Sequence, residues 1–201
     1  MDKKARRIIF MGTPDFAVKT LQQMIENNLQ LVAVVTAPDK PAGRGRKLQS
    51  STVKKYAVDQ LIPVMQPQNL NDERFIDRLQ SYKPDVFIVV AFRMLPEVVW
   101  SIPPLGCVNL HASLLPQYRG AAPINRAIMN GEEETGFTTF YNKKHIDTGN
   151  IICREKEPIH YSDNAETLHD RLKEKGAKLI IKTIETIASG EVKPIDRKSV
   201  V

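Results

Sequence analysis

Short continuous apolar runs alternate along this chain with segments whose apolar residues recur every three or four positions. Such alternation predicts strands buried on both faces, separated by amphipathic helices. Residues 7–11 form the first run. Gly12, Thr13, Pro14 and Asp15 then turn the chain into a helix on which Val18, Leu21 and Ile25 share a face. Asn27 and Asn28 stop that helix, and residues 31–36 are a second, β-branched run. The pattern continues with helices over 52–61, 72–82 and 122–130 and strands over 63–65, 85–91 and 106–111. Two later runs, 135–141 and 150–155, enclose a polar stretch and predict a hairpin at a sheet edge. Asp163, with Glu166 three residues on, is expected to cap a final helix as a capping box. Leu168, Leu172, Leu179, Ile180, Ile184 and Ile187 line one face of it, and Ser189 and Gly190 end it. Gly176 inside this helix implies a kink or a close contact. The fold class expected is α/β, a doubly wound, mostly parallel sheet with an antiparallel edge hairpin.

With 201 residues, 42% of them hydrophobic, the chain has material for one well-packed domain. No apolar run approaches the roughly 18 residues of a membrane span. The basic start leads into only a short apolar segment, too short for a signal peptide, so a cytoplasmic protein is expected. Cys107 and Cys153 sit in apolar, strand-like contexts and read as reduced core thiols. The net charge of +6 changes the picture because of where it lies. Between residues 39 and 55, Lys40, Arg44, Arg46, Lys47, Lys54 and Lys55 are opposed by Asp39 alone. Residues 37–51, rich in proline, glycine and basic side chains, show no periodicity and predict a long loop, which in a compact α/β domain usually marks function. Clustered basic charge suggests a polyanionic partner, with a solvated basic loop as the alternative.

In doubly wound sheets, ligands bind beyond the carboxyl ends of the strands. The first turn has one glycine followed by Thr13 and Pro14, so it lacks the G-x-G-x-x-G of a dinucleotide site, and no P-loop motif occurs. The strand over 106–111 ends differently, in Asn109 and His111, which two-residue spacing puts on one side of the strand. An irregular apolar loop carrying Arg119 and Gly120 follows. Asp147, ahead of Thr148 and Gly149 in the hairpin's polar stretch, is a candidate partner for His111. A core histidine satisfied by a carbonyl, with an asparagine holding a turn, is the competing reading. Asp-Thr-Gly is also the aspartic-protease triplet, but that chemistry needs two carboxylates sharing a proton, and the triplet occurs once. His111, His145, His160 and His169 form no i,i+4 pair and have no cysteine pair near them, so no metal site is expected.

The run Val108-Asn109-Leu110-His111-Ala112-Ser113-Leu114-Leu115-Pro116, then Tyr118-Arg119-Gly120-Ala121-Ala122-Pro123, resembles the signature of the folate-dependent formyltransferases. Asp147-Thr148-Gly149 extends the match, as does the opening Ile8-Ile9-Phe10-Met11-Gly12-Thr13-Pro14-Asp15-Phe16, and the similarity runs from about residue 7 to residue 195. The resemblance implies a Rossmann-like formyltransferase fold, 10-formyltetrahydrofolate as co-substrate and no metal. It implies Asn109, His111 and Asp147 as the catalytic set, with Ser113, Leu114, Leu115 and Pro116 helping to hold the folate. The segment with Phe92, Met94 and Leu95 is similar to the family's pterin wall, but one residue shorter than the commoner form, which has Tyr-Gly before Leu-Pro. The Arg119-to-Pro123 continuation and the insertion over 38–48 are similar to those members that formylate methionyl-tRNA. That similarity implies initiator methionyl-tRNA as partner, with Arg44 first and Arg46, Lys47 and Lys40 in support at its acceptor end, and a monomer. It also implies that residues 1–192 are the catalytic domain and 193–201 the start of a linker, the family's C-terminal tRNA-binding domain being absent. Two alternatives stay open: a family member acting on a small amine (an aminoribonucleotide or an amino sugar), which shares the same three residues, and a non-catalytic RNA-binding module, which would not need them.

Overall fold

The computed structural model describes residues 6–42 and 47–192 of the chain. The main sheet has seven strands in the order β5-β2-β1-β6-β7-β8-β9, and a separate two-stranded sheet pairs β3 with β4. The chain divides into two compact units with the boundary after Cys107.

In the first unit, β1 (Ile8–Gly12) pairs in parallel with β2 (Leu31–Val35) on one side and β6 (Val86–Val90) on the other, and β2 pairs in parallel with β5 (Val64–Met65). Strand order thus reverses between β1 and β6, as expected of a doubly wound sheet, and in such sheets ligands bind beyond the carboxyl ends of the strands at the reversal. Ile8, Ile9, Phe10 and Met11 are completely buried, which is why the run shows no alternation of polar and apolar residues. Helix α1 (Asp15–Glu26) packs on β1 and β6. It buries Phe16, Ala17, Thr20, Leu21 and Met24, a stripe one residue away from the expected Val18, Leu21 and Ile25. Two small residues account for the rotation: a Cβ on Gly12 would lie 2.6 Å from Ala17 Cβ and 3.0 Å from the Val90 carbonyl, so helix and strand meet where neither has bulk.

The expected loop over 37–51 instead contains a hairpin. Strands β3 (Lys40–Ala42) and β4 (Lys47–Gln49) pair antiparallel, Lys40 opposite Gln49. Lys40, Pro41, Leu48 and Gln49 are all exposed, and side chains exposed on both strands leave no hydrophobic period to read. Its base is fixed: Asp39 accepts from Lys54 Nζ at 2.6 Å and from Gln66 Nε2 at 2.7 Å. Helix α2 (Thr52–Asp59) is capped by Ser51, and α3 (Glu73–Ser81) by Asp72, whose side chain accepts from the Phe75 amide. Helix α4 (Glu97–Trp100) was not expected, because four residues are too few to show a helical period.

Strand β7 (Cys107–His111) leads into the second unit, where it pairs antiparallel with β8 (Glu134–Tyr141), and β8 with β9 (Ile151–Pro158). The edge hairpin expected from the sequence is therefore present. Helix α5 (Pro123–Met129) and the long α6 (Ala165–Ser189) complete the unit, with α6 packed on β8, β9 and α5. All six predicted face residues of α6 are buried. Its capping residue differs from expectation: the Asn164 side chain accepts from the Glu166 and Thr167 amides, and Thr167 reciprocates. Asp163 is drawn off instead by Arg171, at 2.6 Å. Gly176 resolves as close packing, since a Cβ there would sit 3.1 Å from Leu110 Cδ2 of β7. Neither cysteine is in a disulfide; Cys107 is buried, but Cys153 is only half-buried and is not a core residue. Among the described residues, no helix is long and apolar enough to cross a membrane.

Candidate active site

Strand β7 sets the two central side chains. In its register Asn109 stands opposite Phe140 and His111 opposite Thr138, both on the face away from Leu110, which meets α6 at Gly176. His111 is buried and Asn109 half-buried. The His111 ring lies between two oxygens. Nε2 is 2.9 Å from the main-chain carbonyl of Tyr118, an atom that only accepts, so this contact is a hydrogen bond in the tautomer with the proton on Nε2. Nδ1 is 3.7 Å from Asp147 Oδ2, beyond hydrogen-bond length but within ion-pair range for a charged ring. Both side chains are 10% exposed, so their interaction is weakly screened.

Asp147 reaches this place because the hairpin between β8 and β9 closes tightly. A Cβ on Gly149 would stand 1.4 Å from the Tyr141 carbonyl oxygen, so only glycine fits two residues after the aspartate. Thr148 Oγ1 donates to the His145 carbonyl at 2.9 Å, and Asp147 itself has a left-handed φ of 50°. The Gly120 amide donates to Asp147 Oδ2 at 2.9 Å, fixing the carboxylate from the other side. The sequence-expected trio thus lies within one unit, with His111 and Asp147 face to face and Asn109 two residues along the same strand.

The loop after β7 is pinned largely by its own backbone. Ser113 is completely buried and donates to the Gln117 carbonyl at 2.6 Å. Thr138 donates to the Ser113 carbonyl at 2.7 Å and accepts from the Leu115 amide at 3.1 Å. Leu115 is buried with Phe140 and Ile151, and Arg154 donates to its carbonyl. Ser113 and Leu115 are therefore committed inward, and Leu114 and Pro116 are the half-buried apolar groups with surface to offer. Tyr118 is the residue sequence reasoning missed. Its phenol donates to Glu132 and accepts from Asn130 Nδ2 at 2.9 Å. The hydrogen bond to Glu132 raises the phenol's pKa above its ordinary value. A main-chain carbonyl is common to every residue, so no side-chain pattern could have marked this one as the partner of His111.

In the first unit, Phe92, Met94 and Leu95 follow β6 directly, at the reversal of strand order. Leu95 is buried in the core with Ile9, Val89 and Val99; Phe92 packs half-buried against the same cluster, and Met94 is 71% exposed. The Arg93 guanidinium lies 5.5 Å over the Phe92 ring and donates to the Pro67 and Gln68 carbonyls. Burial lowers its pKa. Of the basic cluster, Lys40 is exposed on β3 and Lys47 opens β4, while Arg44 and Arg46 lie outside the described residues. Lys54 is neutralised by Asp39, whose pKa its hydrogen bond lowers. Among the described residues, no group of three or more His, Cys, Asp or Glu side chains is placed to hold a metal ion.

Residues 6–184 match the family model described as formyl transferase. The chain belongs to the formyl transferase family. It is 56% identical to a methionyl-tRNA formyltransferase of Bacteroides fragilis over 98% of its own length and 61% of that relative. A second methionyl-tRNA formyltransferase, of Phocaeicola vulgatus, is 54% identical over 100% of the chain and 62% of the relative. The formyl transferase chain thus spans about three fifths of the length of these curated relatives. Among solved structures, glycinamide ribonucleotide transformylase 1 from Symbiobacterium toebii superposes with a TM-score of 0.78 at 19% identity, covering 94% of this chain and 90% of that one. Phosphoribosylglycinamide formyltransferase from Coxiella burnetii gives 0.74 at 23% identity, covering 93% and 89%. At those identities the likeness establishes the formyl transferase fold alone.

Proposed function

We propose that the chain transfers the formyl group of 10-formyltetrahydrofolate to the amino group of initiator methionyl-tRNA, for translation initiation, as a cytoplasmic monomer. The observation that carries this reading is the 56% identity to a methionyl-tRNA formyltransferase across nearly the whole chain. The structurally similar enzymes named for a small ribonucleotide amine are 19% and 23% identical. Asn109, His111 and Asp147 are the groups assigned to the chemistry.

The folate supplies a formyl group already attached to nitrogen. In the second unit, Leu114 and Pro116 keep apolar surface to offer such a ligand, whereas Ser113 and Leu115 are buried. Asn109 donates a hydrogen bond to the formyl oxygen as it gains negative charge, and a protonated His111 donates another from Nδ1. Each such donor contributes about 2.7–4 kcal/mol of the rate acceleration. Asp147 holds the imidazolium and takes the proton released by the attacking amine, directly or through water, worth about 10²–10⁴-fold. A bond forms between the amine nitrogen and the formyl carbon, the bond from that carbon to the folate nitrogen breaks, and the departing nitrogen regains a proton. Lys40, with Arg44, Arg46 and Lys47, is assigned to the phosphates of the tRNA acceptor end.

The test is a comparison of acceptors with 10-formyltetrahydrofolate as donor: methionyl-tRNA, free methionine and a phosphoribosyl amine. Transfer to methionyl-tRNA at the highest kcat/KM is expected. Transfer to the phosphoribosyl amine alone would replace this reading with the small-amine one, and folate or RNA binding without transfer would refute it.

A further inference from the structure

We propose that Tyr118 is a positioning residue for His111: its main-chain carbonyl fixes Nε2, so that Nδ1 is the nitrogen turned to the reacting groups. The proposal rests on the formyl-transfer reading above. The 2.9 Å contact from Nε2 to the Tyr118 carbonyl occupies that nitrogen's proton. The opposite side is looser, with Nδ1 3.7 Å from Asp147 Oδ2, and an acceptor amine or a formyl oxygen enters where the existing contact is long rather than where it is short. Nε2 then serves as the fixed pivot and Nδ1 as the working atom.

The conformation of Tyr118 says what holds the pivot. Its φ of 54° lies in the left-handed region, which a bulky aromatic residue enters only when its surroundings impose it. The phenol is the tether. It donates to Glu132 and accepts from Asn130, the residue that ends α5. Glu132 is placed in turn by its own amide, which donates to the Ala127 carbonyl across the turn at Gly131. A chain of contacts therefore runs from the end of α5 through the phenol to the carbonyl and on to Nε2. Two residues further, the Gly120 amide holds Asp147. One short turn thus sets both the imidazole and its carboxylate, and the tyrosine side chain is its anchor.

The experiment uses long-range proton–nitrogen NMR on protein with nitrogen-15-labelled histidine, the His111 signals assigned by their loss in His111→Asn. In the wild type, His111 is expected to keep its proton on Nε2 at high pH. In Tyr118→Phe both tautomers should appear, and kcat should fall about ten- to a hundredfold with KM for folate and acceptor nearly unchanged. Glu132→Ala, a change at an exposed position, should act in the same direction, and Glu132→Gln, which can still accept the phenol proton, should restore the wild-type tautomer. A wild-type proton on Nδ1 would overturn the proposal. So would a Tyr118→Phe variant that loses only stability, with tautomer and kcat unmoved. If the wild type transferred no formyl group, the functional reading would fail, and the tautomer would still decide whether Tyr118 positions His111.

Discussion

Replacing Arg171 with alanine removes the shared partner of two carboxylates, Glu157 and Asp163, that are only 2% and 5% exposed. The guanidinium donates to Glu157 Oε1 at 2.7 Å, to both Asp163 oxygens at 2.9 and 2.6 Å, and to the Pro158 carbonyl. These bonds tie the first turns of α6 to the end of β9. Breaking a buried ion pair by deleting one partner costs about 3–5 kcal/mol, because a charge is left desolvated. Arg171 is itself 24% exposed, and Lys175 stays on Glu157 at 2.6 Å, so the lower end applies, about 3 kcal/mol. For a chain of this size each kcal/mol moves the melting temperature by about 2–4 °C, so a fall of about 6–12 °C is expected. The pH dependence follows from Asp163, whose carboxyl the Arg171 hydrogen bonds, above all, hold well below the usual carboxylate range. A depressed folded-state pKa stabilises the fold above about pH 4, and that stabilisation is lost as pH falls toward the folded value. The gap between wild type and Arg171→Ala should therefore be full at pH 7 and shrink below about pH 4. Urea unfolding at pH 7 and pH 3 measures it. A loss under about 1 kcal/mol at pH 7, or a gap that does not change with pH, would show that Arg171 does not hold Asp163 and Glu157 as buried ion pairs.

His111→Ala and Asp147→Ala should each lower kcat by about 10²–10³ while folate affinity, followed by fluorescence titration, changes less than about twofold. Gly149→Ala puts a methyl group where the Tyr141 carbonyl oxygen stands, so the hairpin must open and Asp147 withdraw. Its kcat should drop toward that of Asp147→Ala, and a crystal structure with Asp147 still facing His111 would count against this. Lys40→Ala should raise KM for tRNA and make the log–log salt dependence of binding shallower by about 0.7, one single-strand phosphate contact. An unchanged slope would return this hairpin to a solvated basic ribbon.

The legible parts of the sequence were those where one physical signal dominates. Buried parallel strands such as Ile8–Gly12 and Val86–Val90 stand out because both faces are apolar, and α6 because its buried stripe persists from Leu168 to Ile187. The β3–β4 hairpin is hidden because its described side chains are exposed, and α4 because it is shorter than the period that would reveal it. Neighbours compete for the cap of α6: Asp163 and Asn164 are both good caps, but the Asp163 carboxylate is taken up by Arg171, the His160 amide and the Thr167 hydroxyl. At the candidate site, two-residue spacing was enough to put Asn109 and His111 on one face. The distance from His111 to Asp147 depends on a glycine fitted against the Tyr141 carbonyl, and the second contact of His111 is a main-chain carbonyl. Neither contact is encoded in a pattern of side-chain types within the strand.

The proposed formyl transfer to methionyl-tRNA can be read by mass spectrometry of the amino acid released from that tRNA after incubation with the protein and 10-formyltetrahydrofolate. Formylmethionine should appear with the wild type and fall to a trace with Asp147→Ala. Methionine recovered unformylated at every enzyme concentration, from a protein that is folded and binds folate, would mean that the chain does not formylate methionyl-tRNA.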